Sequence, residues 1–383
     1  MLFQDSYPLP PSGATLEPMQ LGIIGLARSG KTTIFNAVTR GSAQVGAYSS
    51  STQPNVGVVQ VPDERVDKLA EMYRPKKKTY ATIQYVDFPA AGESFGKGQG
   101  PAGKFINELA RMDALIHVVR AFEDDTVPHP EVTIDPHRDI ATMDLELAFA
   151  DLAIIERRLD RLETEMRSVK AGERDQMNRL KEVLERMKAG LESDVPIRAQ
   201  ELSEEDWRLL EGSQFLTARP LLLIINIGEN DLPRRKEIEA EFRERYRGPG
   251  RDVAVFCGKF EMELNELDEE AAAEFRESVG VTESGMAEAI RASYALLGLI
   301  SFLTAGPDEC RAWTIRKGAT APEAAGKIHS DLQRGFIRAE VISFDDLVAA
   351  GSEAEAKKRG LVRTEGKNYV VQDGDVLHIL FNV

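Results

Sequence analysis

A glycine-rich stretch that ends in a lysine and a threonine lies near the start of the chain. Residues 25–32 read Gly-Leu-Ala-Arg-Ser-Gly-Lys-Thr, which fits the spacing G-x-x-x-x-G-K-[ST]. In this spacing two glycines let the backbone wrap tightly, so that successive N–H groups point inward at an anion. Lys31 would reach the β- and γ-phosphates of a nucleotide, and the Thr32 hydroxyl would bind Mg²⁺. The residue types therefore predict a site for a nucleoside triphosphate and its magnesium ion.

The elements around this stretch fit the same chemistry. The apolar residues 21–24 predict a strand that leads directly into it, and residues 33–38 predict a helix that follows it. The positive end of that helix would face the phosphates. The alternative, a fortuitous glycine-rich turn, does not require this order of strand, loop and helix.

The composition indicates two or three domains in a reducing compartment. The chain has 383 residues, and 48 Lys and Arg against 63 Asp and Glu give a net charge of −15. Domains usually hold about 100–200 residues, and this acidity argues against DNA as a partner. Two cysteines are too few for a disulfide framework, and no stretch approaches the roughly 20 apolar residues that span a bilayer. We therefore expect a cytoplasmic protein without a membrane partner.

Five largely apolar runs predict an α/β fold with a parallel sheet that helices cover on both faces. The runs are residues 56–61, 82–86, 114–119, 221–225 and 253–256. Together they predict a P-loop domain in two parts, residues 19–142 and 213–303. The proline-rich residues 1–18 are predicted to be a disordered leader.

Between these two parts, residues 143–212 predict an inserted helical hairpin. Apolar residues step by three and four along two stripes, which are Leu145, Ala148, Leu152, Ile155, Leu159, Leu162 and Met166, and then Met177, Leu180, Leu184, Met187 and Leu191. Such seams predict two helices that pack antiparallel as a coiled coil. The dense charged faces either simply solvate the hairpin, which we favour, or contact a large partner.

The remaining residues, 304–383, predict a small α+β domain. Strand-like pieces at residues 311–315, 339–342, 369–371 and 377–381 alternate with glycine-bearing turns and one helix around 321–333.

The strand that ends at residue 225 leads into a segment that bears on the choice of base. Guanine-binding relatives of this fold have Asn-Lys-x-Asp here, because an Asp carboxylate accepts both the ring N–H and the amine of guanine. This chain has Asn226-Ile-Gly-Glu229. A Glu is one methylene longer and would misplace that acceptor, which disfavours guanine. Alternatively, Glu229 is only a solvated acid of a loop.

From Met19 to Val383 the chain resembles the YchF/Obg-like ATPase family. The matching stretches are Pro54–Val59, Val61–Asp63, Lys104–Phe105, Ile116–Val119, Phe122–Asp124, Asn226–Glu229, Glu266–Glu270, Arg311–Ile315, Gly318–Pro322, Gly335–Val341, Gln372–Asp375 and Phe381–Val383. The resemblance implies a P-loop domain with an inserted coiled-coil arm and a C-terminal TGS domain of the β-grasp type. It also implies slow hydrolysis of ATP in preference to GTP, with Mg²⁺, and association with ribosomes or ribosomal RNA.

The resemblance also assigns site residues. It places the nucleotide-binding stretch on Arg28, Ser29, Gly30, Lys31, Thr32 and Thr33, with Ile227 offering its backbone to the base. The glycine-rich spacing adds Gly25, and the segment after residue 225 adds Asn226 and Glu229. The metal-binding residues would be Thr32, Asp87 and one of the hydroxyls of Ser51 and Thr52. No general base is assigned, so we expect slow intrinsic hydrolysis that awaits an activating partner.

Two departures from the family bear on mechanism. The family has an Asn at the position of Arg28, where related cation-dependent enzymes use it to hold K⁺. We hypothesise that the Arg28 guanidinium replaces that ion, so that K⁺ would not stimulate turnover. The family's Asp-x-x-Gly-Leu reads Asp87-Phe-Pro-Ala90-Ala91 here, and Pro89 and Ala90 lack the freedom of the glycine that meets the γ-phosphate.

Three functions remain open at this point. The first is a slow ATPase switch, and the second is a nucleotide-gated binding protein with little hydrolysis, which the altered loop after Asp87 would favour. The glycine-rich residues 92–103 that follow either move with the nucleotide or are disordered. The third is a GTPase of the Obg type.

Overall fold

The structure, a computed structural model, describes residues 19–41, 54–88, 101–167, 171–281 and 283–382. The chain divides into two compact units. Within the described residues, the first unit comprises 19–57 and 84–292, and the second comprises 58–83 and 293–382. Ser51, Thr52, Pro89 and Ala90 lie outside the described residues, as do the predicted leader 1–18 and most of the glycines after Asp87.

The strands form two six-stranded sheets. In chain order they are β1 (Gln20–Ile24), β2 (Asn55–Gln60), β3 (Lys77–Thr79), β4 (Thr82–Asp87), β5 (Ala114–Ala121), β6 (Leu221–Ile227), β7 (Arg251–Phe256), β8 (Leu299–Ala305), β9 (Glu309–Arg316), β10 (Phe336–Ser343), β11 (Arg363–Glu365) and β12 (Asp375–Phe381). The first sheet has the order β2-β4-β1-β5-β6-β7, and the second has the order β11-β10-β12-β8-β9-β3.

The helices of the first unit surround its sheet and form the hairpin. They are α1 (Lys31–Thr39), α3 (Pro101–Leu109), α4 (Pro136–Met166), α5 (Ala171–Glu192), α6 (Glu204–Leu209), α7 (Arg235–Tyr246), α8 (Gly258–Leu264), α9 (Glu269–Ser278) and α10 (Gly285–Leu296), whose last residues lie in the second unit. The second unit also holds α2 (Glu64–Tyr73), α11 (Ala321–Ile328), α12 (Ser330–Arg334), α13 (Phe344–Ala350) and α14 (Glu353–Lys358).

The first sheet confirms the predicted parallel α/β fold. Strand β1 pairs in parallel with β4 and β5, β5 pairs with β6, and β6 pairs with β7. All seven residues of β6, Leu-Leu-Leu-Ile-Ile-Asn-Ile, are buried. A continuous apolar run is typical of a strand that is covered on both faces. The carboxyl ends of β1, β4, β5 and β6 therefore meet at one edge of the sheet, where P-loop proteins bind their ligands.

The hairpin α4–α5 packs antiparallel, as its two stripes predict. Glu163 of α4 pairs with Lys181 of α5, and Glu156 of α4 pairs with Lys188 of α5. A step of seven residues back along α4 therefore matches a step of seven residues forward along α5. Ile155, Leu162, Leu184, Met187 and Leu191 form a buried core between the helices. Leu145, however, is 46% exposed. The prediction for this residue was wrong because the first turns of α4 face the core of the sheet through Ile140, Met143 and Leu147.

The second unit contains more of the chain than residues 304–383. Strand β8 begins at Leu299 and pairs antiparallel with β9, so the unit starts before the predicted boundary. Strand β3 pairs in parallel with β9 from the other side, which places residues 58–83 in this unit although they were predicted within the P-loop domain. The three residues Lys-Lys-Thr of β3 have no apolar pattern, so a sequence reading has no signal for this strand.

Two further details of the second unit differ from the predictions. The helix around 321–333 is two helices, because His329 takes an extended backbone conformation between them and its ring accepts a hydrogen bond from Asp331 N. Residues 369–371 form no regular strand, and Val370 makes an isolated bridge with Thr320. The alanines of α11 pack on the sheet with Phe302, Phe336 and Val341.

We expect Asp151→Asn to lower the free energy of unfolding of the first unit by about 2–3 kcal/mol. The buried Asp151 carboxylate on α4 accepts hydrogen bonds from Leu216 N at 2.8 Å, Thr217 N at 2.7 Å and Thr217 Oγ1 at 2.7 Å. An amide in its place presents an N–H₂ group to at least one of these donors, so buried polar groups lose their partners. Urea unfolding followed by Trp207 fluorescence in a Trp313→Phe background measures the change.

Asp160→Asn is the matched control, because Asp160 is an exposed residue of the same helix. The Asp160 substitution should change the free energy of unfolding by less than about 0.5 kcal/mol. Equal stability of the Asp151 and Asp160 variants would contradict the buried anchoring role of Asp151.

Candidate functional site

The phosphate-binding loop connects β1 to α1 and needs glycine at both ends. Gly25 has φ +151° and Gly30 has φ +93°. A Cβ atom on Gly25 would lie 2.4 Å from the Val118 carbonyl oxygen, and one on Gly30 would lie 2.3 Å from Asn226 Nδ2. Only glycine fits at either position, for both its backbone conformation and the space it leaves. The loop therefore has the tight wrap that its sequence predicts.

Lys31 is buried at the centre of the loop. Its Nζ atom donates hydrogen bonds to the carbonyl oxygens of Gly25 and Leu26, each at 2.9 Å. Burial lowers the pKa of Lys31 to about 8, and the charge of Asp87 partly opposes this shift. The ammonium group is thus desolvated and held on the loop by two carbonyl oxygens, and a desolvated positive charge favours contact with anionic oxygens.

Two oxygen-bearing side chains lie beside Lys31. Thr32 Oγ1 donates to Asp87 Oδ2 at 3.1 Å, and Asn55 Nδ2 donates to the same oxygen at 3.5 Å. The other carboxylate oxygen, Oδ1, is buried and has no hydrogen-bond partner among the described residues. Burial raises the pKa of Asp87, and Thr32, Lys31 and Asn55 oppose that shift.

These oxygens fit Mg²⁺. The ion prefers carboxylate and hydroxyl oxygens and completes its octahedron with phosphates and water. The unpartnered Asp87 Oδ1 beside the Thr32 hydroxyl provides two such donors without requiring a full protein cage. Within the described part of the chain, no group of three His, Cys, Asp or Glu side chains is arranged to hold a metal ion.

Asn226, near the end of β6, connects the phosphate loop to the start of helix α8. Its Nδ2 atom donates to the Ser29 carbonyl at 3.1 Å, and its Oδ1 atom accepts from Gly258 N at 3.0 Å. Both ends of the amide are engaged in holding backbone. The sequence predicts that Asn226 contacts the nucleotide. In the structure its amide holds the backbone of Ser29 and Gly258 in position.

The segment after Asn226 forms the other side of the site. Glu229 makes an ion pair with Lys259 at 2.7 Å, and both side chains are largely exposed. The sequence predictions included Glu229 but not Lys259, which α8 contributes from 30 positions further along the chain. No motif in the sequence links these two residues. The pairing places Glu229 on the same rim of the site as Lys259.

Arg28 occupies an exposed position in the phosphate loop. Its φ of +62° is in the left-handed region, which residues with a side chain rarely adopt. Its Nη1 atom donates to the Pro128 carbonyl at 2.9 Å. The sequence predictions included Arg28 but not this contact with the segment after β5.

An open cleft of about 1740 Å³ joins these parts. It is lined by Arg28, Lys31, Thr32, Thr33, Asn55, Asp87, Phe122, Thr126, Val127, Pro128, Asn226–Asp231, Cys257, Lys259 and other residues of the first unit. The structure therefore brings together the predicted residues Gly25 to Thr33, Asp87 and Asn226 to Glu229. An elongated anionic ligand would extend from the Lys31–Asp87 end toward the Glu229–Lys259 end.

The described helices include none with the length and apolar character needed to cross a membrane.

Comparisons with known proteins give consistent results along the whole chain. A family model described as "50S ribosome-binding GTPase" matches residues 20–148. A second model, YchF-GTPase_C, described as "Protein of unknown function", matches residues 299–382.

Relatives match over nearly their full length. The Bacillus subtilis protein named Ribosome-binding ATPase YchF is 43% identical over 365 residues, which cover 94% of this chain and 99% of that protein. The Oryza sativa protein named Obg-like ATPase 1 is 37% identical, with 95% of this chain and 92% of that protein covered. The solved structure of the Schizosaccharomyces pombe YchF GTPase is 30% identical and superimposes with a TM-score of 0.83 over 98% of this chain and 100% of that one.

Proposed function

This chain belongs to the YchF family of P-loop proteins, and from that membership we propose that it binds ATP with Mg²⁺, hydrolyses it slowly and associates with ribosomes. The observation that carries the proposal is the convergence of Lys31, Thr32 and Asp87 at one end of a single cleft. One ammonium group and two oxygen donors are what a magnesium triphosphate requires of a protein.

Each residue at this end has a distinct role in the proposal. The loop N–H groups between Gly25 and Gly30 bind phosphate oxygens, and Lys31 adds a desolvated positive charge. Thr32 and Asp87 would hold Mg²⁺, which when bound neutralises charge on the β- and γ-phosphate oxygens. Asn226 keeps the phosphate loop in place through the Ser29 carbonyl.

The preference for ATP over GTP rests on the Glu229 end of the cleft. Glu229 is one methylene longer than the Asp of guanine-binding relatives, and its ion pair with Lys259 competes with acceptance of the two N–H groups of guanine. A site that is built to hydrogen-bond a particular base discriminates strongly, and one that lacks the required acceptor does not favour that base. The names of the relatives include both ATPase and GTPase, so the base needs a direct measurement.

Slow turnover is proposed from the lining of the cleft. Its described residues include neither glutamine nor histidine, the side chains that usually orient or activate the attacking water. The same observation favours the second candidate, a binding protein that holds ATP and hardly hydrolyses it. Phosphate release over hours, with and without ribosomes, distinguishes a stimulated ATPase from such a protein.

Association with ribosomes comes to this chain from its relatives, several of which are named ribosome-binding. The hairpin α4–α5, with its exposed charged faces, is a candidate contact surface. We place the protein in the cytoplasm on the same grounds. Co-sedimentation with ribosomes in the presence of ATP or ADP would test both the association and its dependence on the nucleotide.

Titration with fluorescently labelled ATP and GTP tests the proposed function. We expect ATP to bind at least tenfold more tightly than GTP, a difference of about 1.4 kcal/mol, because the longer, Lys259-paired Glu229 is poorly placed as the guanine acceptor. A Glu229→Asp variant should narrow this difference, whereas Glu277→Asp, at an exposed position on α9 outside the cleft lining, is the control.

A tenfold preference for GTP would overturn the base assignment and leave the P-loop function intact. Failure of both nucleotides to bind with Mg²⁺ present would overturn the proposed function as a whole.

A further inference from the structure

Arg28 is a strained residue inside the phosphate loop. Its φ of +62° suits glycine, and its side chain is exposed at the cleft. Residues held in this backbone region persist only where the surrounding structure fixes them, and they cluster at ligand sites and active sites. The question is therefore what the Arg28 guanidinium does at this position.

Arg28 contacts the Pro128 carbonyl, and the residues just before Pro128 are held by a second arginine, Arg120. Arg120, buried at the end of β5, donates to the carbonyl oxygens of Phe122 at 3.1 Å and Val127 at 2.7 Å, and it lies 4.5 Å over the Phe122 ring. A third bond, to the Asp124 carbonyl, is 3.5 Å long. The guanidinium of Arg120 thus fixes residues 122–127 at the cleft.

The two arginines bind consecutive carbonyls of this segment. Arg120 takes the Val127 carbonyl and Arg28 takes the Pro128 carbonyl. Burial lowers the pKa of Arg120, Asp124 opposes this, and the charge of Arg28 lowers it further. Two like charges at one rim repel each other, and an anion in the cleft would relieve that repulsion.

A guanidinium carries five N–H donors, and the Pro128 carbonyl accepts a hydrogen bond from one of them. The contact therefore holds the Arg28 side chain in place and leaves other N–H groups able to donate to a ligand. Its position in the loop, three residues before Lys31, places it in the lining of the same cleft as Lys31.

We propose that Arg28 is a catalytic residue, an arginine finger supplied by the phosphate loop itself, whose guanidinium contacts the oxygens between the β- and γ-phosphates. This inference rests on the proposed function and assigns it a catalytic group. In hydrolysis, the oxygen of water forms a bond to the γ-phosphorus while the bond from that phosphorus to the β–γ bridging oxygen breaks. The electron pair stays on the β-phosphate of ADP, and the proton released from water passes to phosphate and solvent. Arg28 stabilises the charge that accumulates on the bridging and γ-phosphate oxygens, which is the role of arginine fingers in other P-loop enzymes.

Arg28→Gly tests the proposal with little risk to the fold, since glycine accepts a φ of +62° without strain. We expect kcat in single-turnover ATP hydrolysis to fall at least 50-fold, while the Kd for ATP changes less than threefold and Tm stays equal or rises. Arg28→Lys should recover little of the rate, because an ammonium group lacks the planar fork of the guanidinium. Wild-type rates should be equal in KCl and NaCl.

Arg40→Gly is the matched control. Arg40 is also an exposed arginine with positive φ, at +50°, but it caps the end of α1 and is not part of the cleft lining. Its substitution should leave kcat and Kd unchanged.

The proposal is overturned if Arg28→Gly keeps the wild-type kcat, if kcat and ATP affinity fall together, or if K⁺ strongly stimulates the wild-type protein. Any of these results, obtained with a wild-type protein that binds ATP, leaves the proposed function standing. Only a wild-type protein that binds no nucleotide would remove both.

Discussion

Replacing Lys31 with Ala should weaken binding of MgATP at pH 7 by at least about 100-fold, because a buried charge-assisted contact to two phosphates is worth about 3 kcal/mol or more. The Lys31 ammonium lies on the carbonyls of Gly25 and Leu26 at the centre of the loop. Equilibrium titration with labelled ATP measures the loss. Lys317→Ala, an exposed lysine of the second unit, is the control and should bind as the wild type does.

The pH dependence of binding provides a further readout of the same residue. The pKa of Lys31 is about 8, so the free site is largely protonated at pH 7 and loses its charge above pH 8. Since phosphate binds the protonated form, the Kd for ATP should be nearly constant from pH 6.5 to 7.5 and then rise, with a slope that approaches tenfold per pH unit only above about pH 9. The Lys31→Ala variant should show no such rise. A wild-type affinity that stays constant up to pH 9.5 would contradict the role of Lys31.

Asp87→Asn should abolish magnesium-dependent hydrolysis, with a fall in kcat of at least about 100-fold, while the protein without nucleotide becomes no less stable. The loss of hydrolysis and the retained stability have the same cause, which is removal of the buried negative charge of Asp87. The Asp87 carboxylate is buried, burial raises its pKa, and its Oδ1 atom has no partner in the described residues. A neutral amide removes the desolvation penalty of the charge and also removes the anionic ligand of the metal.

Magnesium titration of ATP binding separates metal loss from misfolding. The midpoint for Mg²⁺ should move to at least tenfold higher concentration in Asp87→Asn, and Tm should stay equal or rise. Asp175→Asn, at an exposed position on the hairpin, should leave both values unchanged. An unchanged magnesium midpoint in the Asp87 variant would rule out Asp87 as a metal-binding residue.

The sequence predicts the tight loop between β1 and α1 because the residues of this loop are contiguous. Gly25, Gly30, Lys31 and Thr32 lie within eight positions, and their backbone geometry follows from the spacing alone. The parallel sheet is also predictable, since each buried strand is a continuous apolar run.

The sequence does not reveal partners that tertiary structure brings together. Arg28 and Pro128 are 100 positions apart, and the link depends on Arg120, a buried charge whose role no local pattern indicates. Lys259, on helix α8, reaches Glu229 in the same way. Strand β3 consists of three polar residues, so only its ladder with β9 identifies it as a strand.

The second unit is built from two separate stretches of the chain, so no single continuous fragment that begins after residue 83 contains all of its strands. Because β3 supplies one edge of that sheet from residues 77–79, while β8 to β12 come from residues 299–381, no single breakpoint yields the complete unit. A fragment that starts at residue 299 would leave the outer edge of β9 without its neighbour, and bare strand edges recruit other chains. A gene fusion that transfers only residues 299–383 would therefore give a product that aggregates through the exposed edge of β9. We expect the same aggregation from an N-terminal truncation that removes residues 58–83.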